Sequence, residues 1–147
     1  MPANNECPVC GNARPLLGIC PFCETSEPPT ALNDVTTINI ERGKPTIDDA
    51  LDRLTQYLRA LEDIGGIKAV IVIHGYGSSG KGGGIRTAVR QALDHAFYAD
   101  RVSEYYFGED LGVGSSAYHS VIKRRPNLKD HLRLKAGNPG MTLLLLG

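Results

Sequence analysis

Residues Lys68 to Leu93, KAVIVIHGYGSSGKGGGIRTAVRQAL, set an apolar run against a glycine-rich loop and then a helical pattern, an order that few folds accept. A continuous apolar run such as AVIVI predicts a strand covered on both faces. The glycines let the backbone turn sharply and let a ligand approach the amide N–H groups that open the next helix. That helix is predicted from about Gly84 to Phe97, burying Ile85, Ala88, Val89, Ala92 and Leu93 and leaving Arg86 and Arg90 on its outer side.

Gly75 to Gly82 also has the outline of a nucleotide-binding loop, but Gly82 stands where that loop needs Ser or Thr. The missing hydroxyl would hold the Mg²⁺ that bridges nucleotide phosphates. No later apolar strand ends in a suitable Asp, since YYFGED puts Gly108 and Glu109 before Asp110 and MTLLLLG has none. No nucleotide cofactor is therefore expected. Tight ATP binding that depends on Lys81 would revive a nucleotide-binding enzyme as the alternative.

The other elements follow from pattern. TTINI alternates, with Thr36, Ile38 and Ile40 on one face and Thr37 and Asn39 on the other, which predicts a half-buried strand. Ile47, Ala50, Leu51, Leu54, Leu58 and Leu61 mark a helix that starts on a capping box, Thr46 with Asp49, and stops at Gly65 and Gly66. RVSEYYFG and MTLLLLG predict two further strands. Between them, residues 112–140 read as irregular, with one helix over SSAYHSVIKRR that must end before Pro126. The order βαβαβ…β predicts an α/β layer fold.

The four cysteines fall within the first 23 residues as Cys7-x-x-Cys10, nine residues, then Cys20-x-x-Cys23. Two such pairs on tight knuckles present four thiolates tetrahedrally, which predicts a closed, structural Zn²⁺ site in a knuckle or ribbon. Disulfides are disfavoured in a reducing compartment, and a redox motif would open a helix in a βαβ unit. Glu24 to Asp34, with two prolines and no apolar period, reads as a linker. The predicted organisation is a zinc module at 1–23, a linker at 24–34 and the α/β domain at 35–147.

Sixteen acidic and sixteen basic residues balance over the 147, so no global field draws in nucleic acid or an anionic membrane. The longest apolar runs fall far short of the ~20 residues a membrane span needs. MPANNECPVC has neither the basic start nor the apolar centre of a signal peptide, so a cytoplasmic protein without membrane attachment is expected.

His74 ends the strand at the loop mouth. A histidine there either contacts phosphate and exchanges protons, or caps the strand end through a backbone hydrogen bond. Lys81 and Arg86 lie beside the loop with charge suited to a phosphodiester. VIVIHGYGSSGKGGGIRTAVRQAL, followed by VSEYYFG and GNPGMTLLLL, resembles the Smr domain, the small MutS-related module. His74, Gly75, Gly77, Gly80, Lys81, Gly82, Ile85 and Arg86 match its glycine-loop signature, and Gly137, Gly140 and Thr142 match its closing strand. The resemblance covers residues 35–147 and implies a two-layer α/β sandwich similar to the C-terminal domain of translation initiation factor three. It also implies nucleic-acid binding and, in several members, nicking of DNA or RNA.

The first strand departs from the family pattern. Where that pattern has Leu-Asp-Leu followed by His-Gly or Arg-Gly, this chain has INIERG, with Asn39 for the aspartate and Glu41-Arg42 for the single His or Arg. Such a chain is expected to bind without cutting unless Glu41, on the same strand face as Asn39, replaces the carboxylate. The 112–140 insertion concentrates Lys123, Arg124, Arg125, Lys129, Arg133 and Lys135 against Asp130 alone, with Tyr118, His119 and His131 interleaved. It reads as a solvated face or as a segment that tracks a phosphate backbone. The expected function is nucleic-acid binding, with RNA or branched DNA as partner and a nicking endonuclease as the candidate activity. His74 would be the acid or base, and Lys81 and Arg86 would stabilise charge at phosphorus. The alternative is a non-catalytic adaptor whose zinc module recruits a protein or ribosomal partner.

Overall fold

The computed structural model describes residues 5–31, 34–43, 45–75, 81–132 and 138–146. Gly77, Gly80, Gly137, Arg133 and Lys135 lie outside the described residues, as do the side chains of Lys81, Asp130 and His131.

β1 (Asn5–Glu6) and β2 (Thr30–Ala31) form a small antiparallel pair, so part of the 24–34 stretch returns to close the cysteine-bearing segment. The main sheet follows, with β3 (Val35–Asn39), α1 (Ile47–Ile64), β4 (Ala69–Ile73), α2 (Lys81–Asp94) and β5 (Val102–Phe107) in succession. A 3₁₀ turn over Gly108–Leu111 leads to α3 (Ser116–Arg124), α4 (Leu128–Leu132) and β6 (Met141–Leu146). The strand order is β3-β4-β6-β5; β3 and β4 are parallel, and β6 lies antiparallel between β4 and β5.

Local chemistry sets the boundaries. The Thr46 side chain accepts the Asp49 N–H at 3.1 Å and caps α1, and Gly65, at φ 73°, returns its N–H to Leu61 O. Ser115 caps α3 in the same way through Tyr118 N–H. α2 begins at Lys81 rather than near Gly84, because its glycines form the first turn instead of extending the loop. Gly84 lies close against α1: a Cβ there would stand 3.0 Å from Ile47 Cδ1, the tip of an exposed side chain. α4 is an addition to the single helix expected in the insertion, and its Leu128 and Leu132 are both fully buried.

Both faces of β4 are covered, as its unbroken apolar run predicts. Val70, Val72 and Leu144 pack with Ala50, Leu54, Leu58 and Leu61 of α1 and Ile85 and Val89 of α2, which gives an α/β sandwich. The opposite face, Ala69, Ile71, Leu143 and Leu145, is closed by Tyr118, Val121, Leu128 and Leu132 from the insertion. Leu16, from the cysteine-bearing segment, joins the α1–α2 cluster. Among the described residues no helix is long and apolar enough to cross a membrane.

Candidate functional site

The strand registers bring Asn39, Ile73, Met141 and Phe107 to one end of the sheet, where β4 runs into the glycine loop. His74 and Gly75 both donate their backbone N–H to Gly140 O, at 2.9 and 3.0 Å. The imidazole completes this clamp. Nδ1 lies 2.8 Å from Gly75 O and Nε2 lies 2.8 Å from Thr142 Oγ1, so a neutral ring donates from Nδ1 and accepts the threonine hydroxyl proton at Nε2. His74 and Thr142 are fully buried. Burial chiefly, with Arg90 and Arg86 nearby, pushes the His74 pKa below its ordinary value, against the opposing hydrogen bond to Gly75. The HisGly and Gly-x-Thr motifs, 66 residues apart in the chain, are therefore one hydrogen-bonded unit.

Three further groups border this unit. Asn39 Oδ1 accepts the N–H groups of Glu41 and Arg42, both at 2.9 Å, so its side chain caps the turn leaving β3. The Glu41 carboxylate lies directly over Gly75, whose φ of 73° and missing Cβ make room for it. Gly108 serves the same purpose at the end of β5, where any side chain would collide with the Asn138 carbonyl.

Arg86 and Arg90, one turn apart on α2, do not project outward as the helical pattern suggests. Both are half-buried, and Arg90 lies against β5. The Arg90 guanidinium stacks 4.2 Å over the Phe107 ring and pairs with Glu109. Burial opposes ionisation of Glu109, but Arg90 outweighs it and holds the carboxyl below its usual range. Arg86 has no ion-pair partner among the described residues, which leaves its charge available near the loop mouth. Lys81 and Gly82 open α2, so the N-terminus of a 14-residue helix points at the same place.

The basic residues of the insertion are elsewhere. α3 runs down the sheet, and its end, Arg124, pairs with Glu104 at 2.6 Å and donates to Tyr106 OH at 2.7 Å. Arg124 and Arg125 line a cleft with Ser103, Glu104, Leu145 and Leu146. Asn127 donates to Asp34 just before β3. This is the opposite end of the sheet from the glycine loop, about a strand length or ~15 Å away at ~3.3 Å per residue. Lys123, Arg124 and Arg125 are thus not part of the loop site, and Arg124 already has an anionic partner.

The four cysteines do converge, with all four sulfurs within 4.8 Å of one another. Cys7 to Cys23 is 3.5 Å and Cys10 to Cys20 is 3.7 Å, against an edge of about 3.8 Å expected for a tetrahedral thiolate site with ~2.3 Å metal–sulfur bonds. The two knuckles repeat each other. Gly11 N–H and Glu24 N–H close onto Cys7 O and Cys20 O, and both residues are left-handed, at φ 77° and 61°. Burial pushes the Cys7 thiol up, but backbone N–H groups of Cys10 and Val9 aimed at its sulfur outweigh that and hold it at about 6. The Thr25 backbone favours the Cys23 thiolate, yet burial and the other three sulfurs push it up to about 12. The donor set fits a metal, because the sulfurs cannot all ionise together without a cation between them. Behind the cluster the buried Arg14 guanidinium donates to Glu27 O at 2.7 Å, Gly18 O at 2.5 Å and Pro15 O at 3.3 Å, tying the segment's turns together.

Among solved structures the chain is similar to the Smr domain of Thermus thermophilus MutS2, with 21% identity, 76% of this chain and 98% of that chain covered, and a TM-score of 0.47. A comparison with curated proteins finds no match. The Smr domain family model matches residues 42–124, from the turn after β3 through α3. That stretch is more than half of the chain and holds the His74 strand end, the opening of α2 and Arg86, and the chain belongs to the Smr domain family.

Proposed function

We propose that this protein binds nucleic acid, RNA or branched DNA, through the end of the sheet where β4 enters α2. The observation that carries the reading is Arg86, half-buried and without a carboxylate partner among the described residues, beside the N-terminus of α2 and a glycine-rich loop. Fixed N–H groups and one cation suit a phosphodiester. Gly75, Gly77, Gly80, Lys81 and Gly82 supply the loop in this reading. Lys123 and Arg125 form a separate patch a strand length away, with Arg124 largely neutralised by Glu104.

His74 has a positioning part in this proposal. Both ring nitrogens are engaged and the ring is closed to solvent, so it fixes the Gly75 peptide and the β6 threonine relative to each other. Asn39, occupied as a cap, does not replace a family aspartate as base. Binding without cutting is the function that this arrangement favours. Glu41, over Gly75, is the carboxylate that a nicking reaction could use, since Glu109 nearby is already paired with Arg90.

The cysteine module, residues 1–23 with the returning strand Thr30–Ala31, is proposed to hold a structural Zn²⁺ ahead of the Smr domain at 35–147. A reduced thiolate set of this kind suits the cytoplasm.

End-labelled structured RNA and branched DNA, incubated with the parent, Arg86→Ala and His74→Ala, test this on native and denaturing gels. Salt-dependent binding that weakens roughly tenfold in Arg86→Ala, with a salt slope shallower by about one, is expected. Arg124→Ala should change the slope by less. Strand cleavage by the parent that His74→Ala abolishes while keeping its fold would replace the binding reading with a nuclease one. Absence of salt-dependent binding to either substrate would remove nucleic acid as the partner.

A further inference from the structure

Six large apolar side chains are strongly exposed among the described residues, and three of them, Val9 at 58%, Ile19 at 55% and Phe22 at 65%, sit on the cysteine module. Each immediately precedes a cysteine of the four-sulfur cluster, Cys10, Cys20 or Cys23. Val9 and Phe22 occupy the same position in the two Cys-Pro-x-Cys knuckles. Because the sulfurs lie within 4.8 Å of one another, the three residues are held on backbone adjoining one small cluster instead of being spread over the chain.

The charge around them has one sign. Between residues 5 and 31 the only basic side chain is Arg14, 2% exposed and committed to three backbone carbonyls. Glu6, Glu24 and Glu27 are all exposed. A divalent cation held by four thiolates leaves the cluster net negative as well. Nucleic acid binds through cations that neutralise its phosphates, and this segment offers none. Exposed apolar side chains on a segment whose exposed charges are all acidic instead match a protein surface that offers an apolar anchor among Lys and Arg.

We infer that the cysteine module is a protein-docking face, built on Val9, Ile19 and Phe22 and rimmed by Glu6, Glu24 and Glu27, for a basic partner with an apolar anchor. It works beside the glycine-loop site and does not depend on what that site binds.

The test uses the metal-loaded full chain and three fluorescent probes: a short Lys/Arg-rich peptide with a central Phe-Leu pair, the same peptide with serines at the pair, and a single-stranded RNA of equal length. The parent should bind the anchored peptide roughly tenfold more tightly than the serine version, the scale of one buried aromatic anchor. Val9→Ser with Phe22→Ser should erase that difference, and Glu6→Lys with Glu24→Lys and Glu27→Lys should weaken the anchored peptide about as much. RNA affinity should not fall in the Val9→Ser, Phe22→Ser variant. Positions 9 and 22 are more than half exposed, so the serines leave the fold intact, and equal metal content in parent and variant checks this. No preference for the anchored peptide overturns the inference. RNA binding that weakens with the serines also overturns it and makes the module a nucleic-acid contact.

Discussion

The cysteine module and the α/β domain lie in one chain and are held by different physics. Among the described side chains of residues 5–31 the buried apolar ones are Cys7, Leu16, Cys20 and Pro29, and two of those four are metal-type ligands. The sheet, by contrast, has a cluster of aliphatic side chains on each face. A segment of about 27 residues cannot bury enough surface to fold alone, and below ~40 residues metals or cross-links normally compensate. In the metal-bound form proposed above, the module replaces burial with coordination, and one buried arginine wired to carbonyls adds to it. The domain has enough apolar area to need neither.

The largest expected effect separates the two directly. Chelating the metal should unfold residues 5–31, since a structural site of this kind is worth ~10 kcal/mol or more of folding free energy. Amide exchange should remain slow in β4 and β6, and simultaneous loss of protection in both regions would show that the two are one cooperative unit. Next in size, Leu144→Ala at the centre of the sheet should cost ~2–5 kcal/mol in denaturant titrations while leaving metal content unchanged. Metal loss in that variant would break the comparison from the other side.

A smaller effect belongs to His74. Its folded pKa lies below the ordinary 6.5, so the unfolded chain takes up a proton that the folded chain refuses. The stability this neutral imidazole supports is present above about pH 6.5 and falls as the pH drops below it towards the folded pKa. The melting temperature of the parent should therefore fall between about pH 7 and pH 5.5 by more than that of His74→Gln. Equal falls would mean that the ring does not titrate with unfolding. Smallest is Glu24→Gly. Glu24 holds the left-handed conformation that glycine holds in the first knuckle, and the change should tighten metal binding by up to ~1 kcal/mol, read by competition with a chelator. Weaker metal binding would deny the equivalence of the knuckles.

Much of this was legible in the sequence where the cause is local. Thr46, Gly65, the alternation over Thr36 to Ile40 and the two CxxC pairs act over three or four residues, and each works as its chemistry requires. What could not be read depends on which end of the sheet a segment reaches. The charge pattern of the basic insertion suggests a second part of the contact made by the glycine loop, yet α3 carries Arg124 and Arg125 to the far end. Arg86 and Arg90 show the same limit, since helical periodicity alone does not reveal that β5 and Glu109 flank α2. Arg14 left one faint sign: it is the only Lys or Arg before Arg42, an isolation that fits an internal role better than a surface one.

The placement of β6 bears on how the chain reaches this structure. It is the last strand of the sheet in sequence and lies in the interior, paired on both sides, with β4 and β5 meeting only through it. Until it inserts, β4 has an open edge, β5 has no pairing partner, and His74 lacks both the Gly140 carbonyl and the Thr142 hydroxyl. Such late, long-range pairing slows folding and leaves sticky edges exposed meanwhile. During synthesis the clamp of His74 and Gly75 on Gly140 and Thr142 therefore closes only after residues 141–146 have left the ribosomal tunnel, so in the function proposed above a nascent chain would present this end of the sheet to nucleic acid only once β6 is in place.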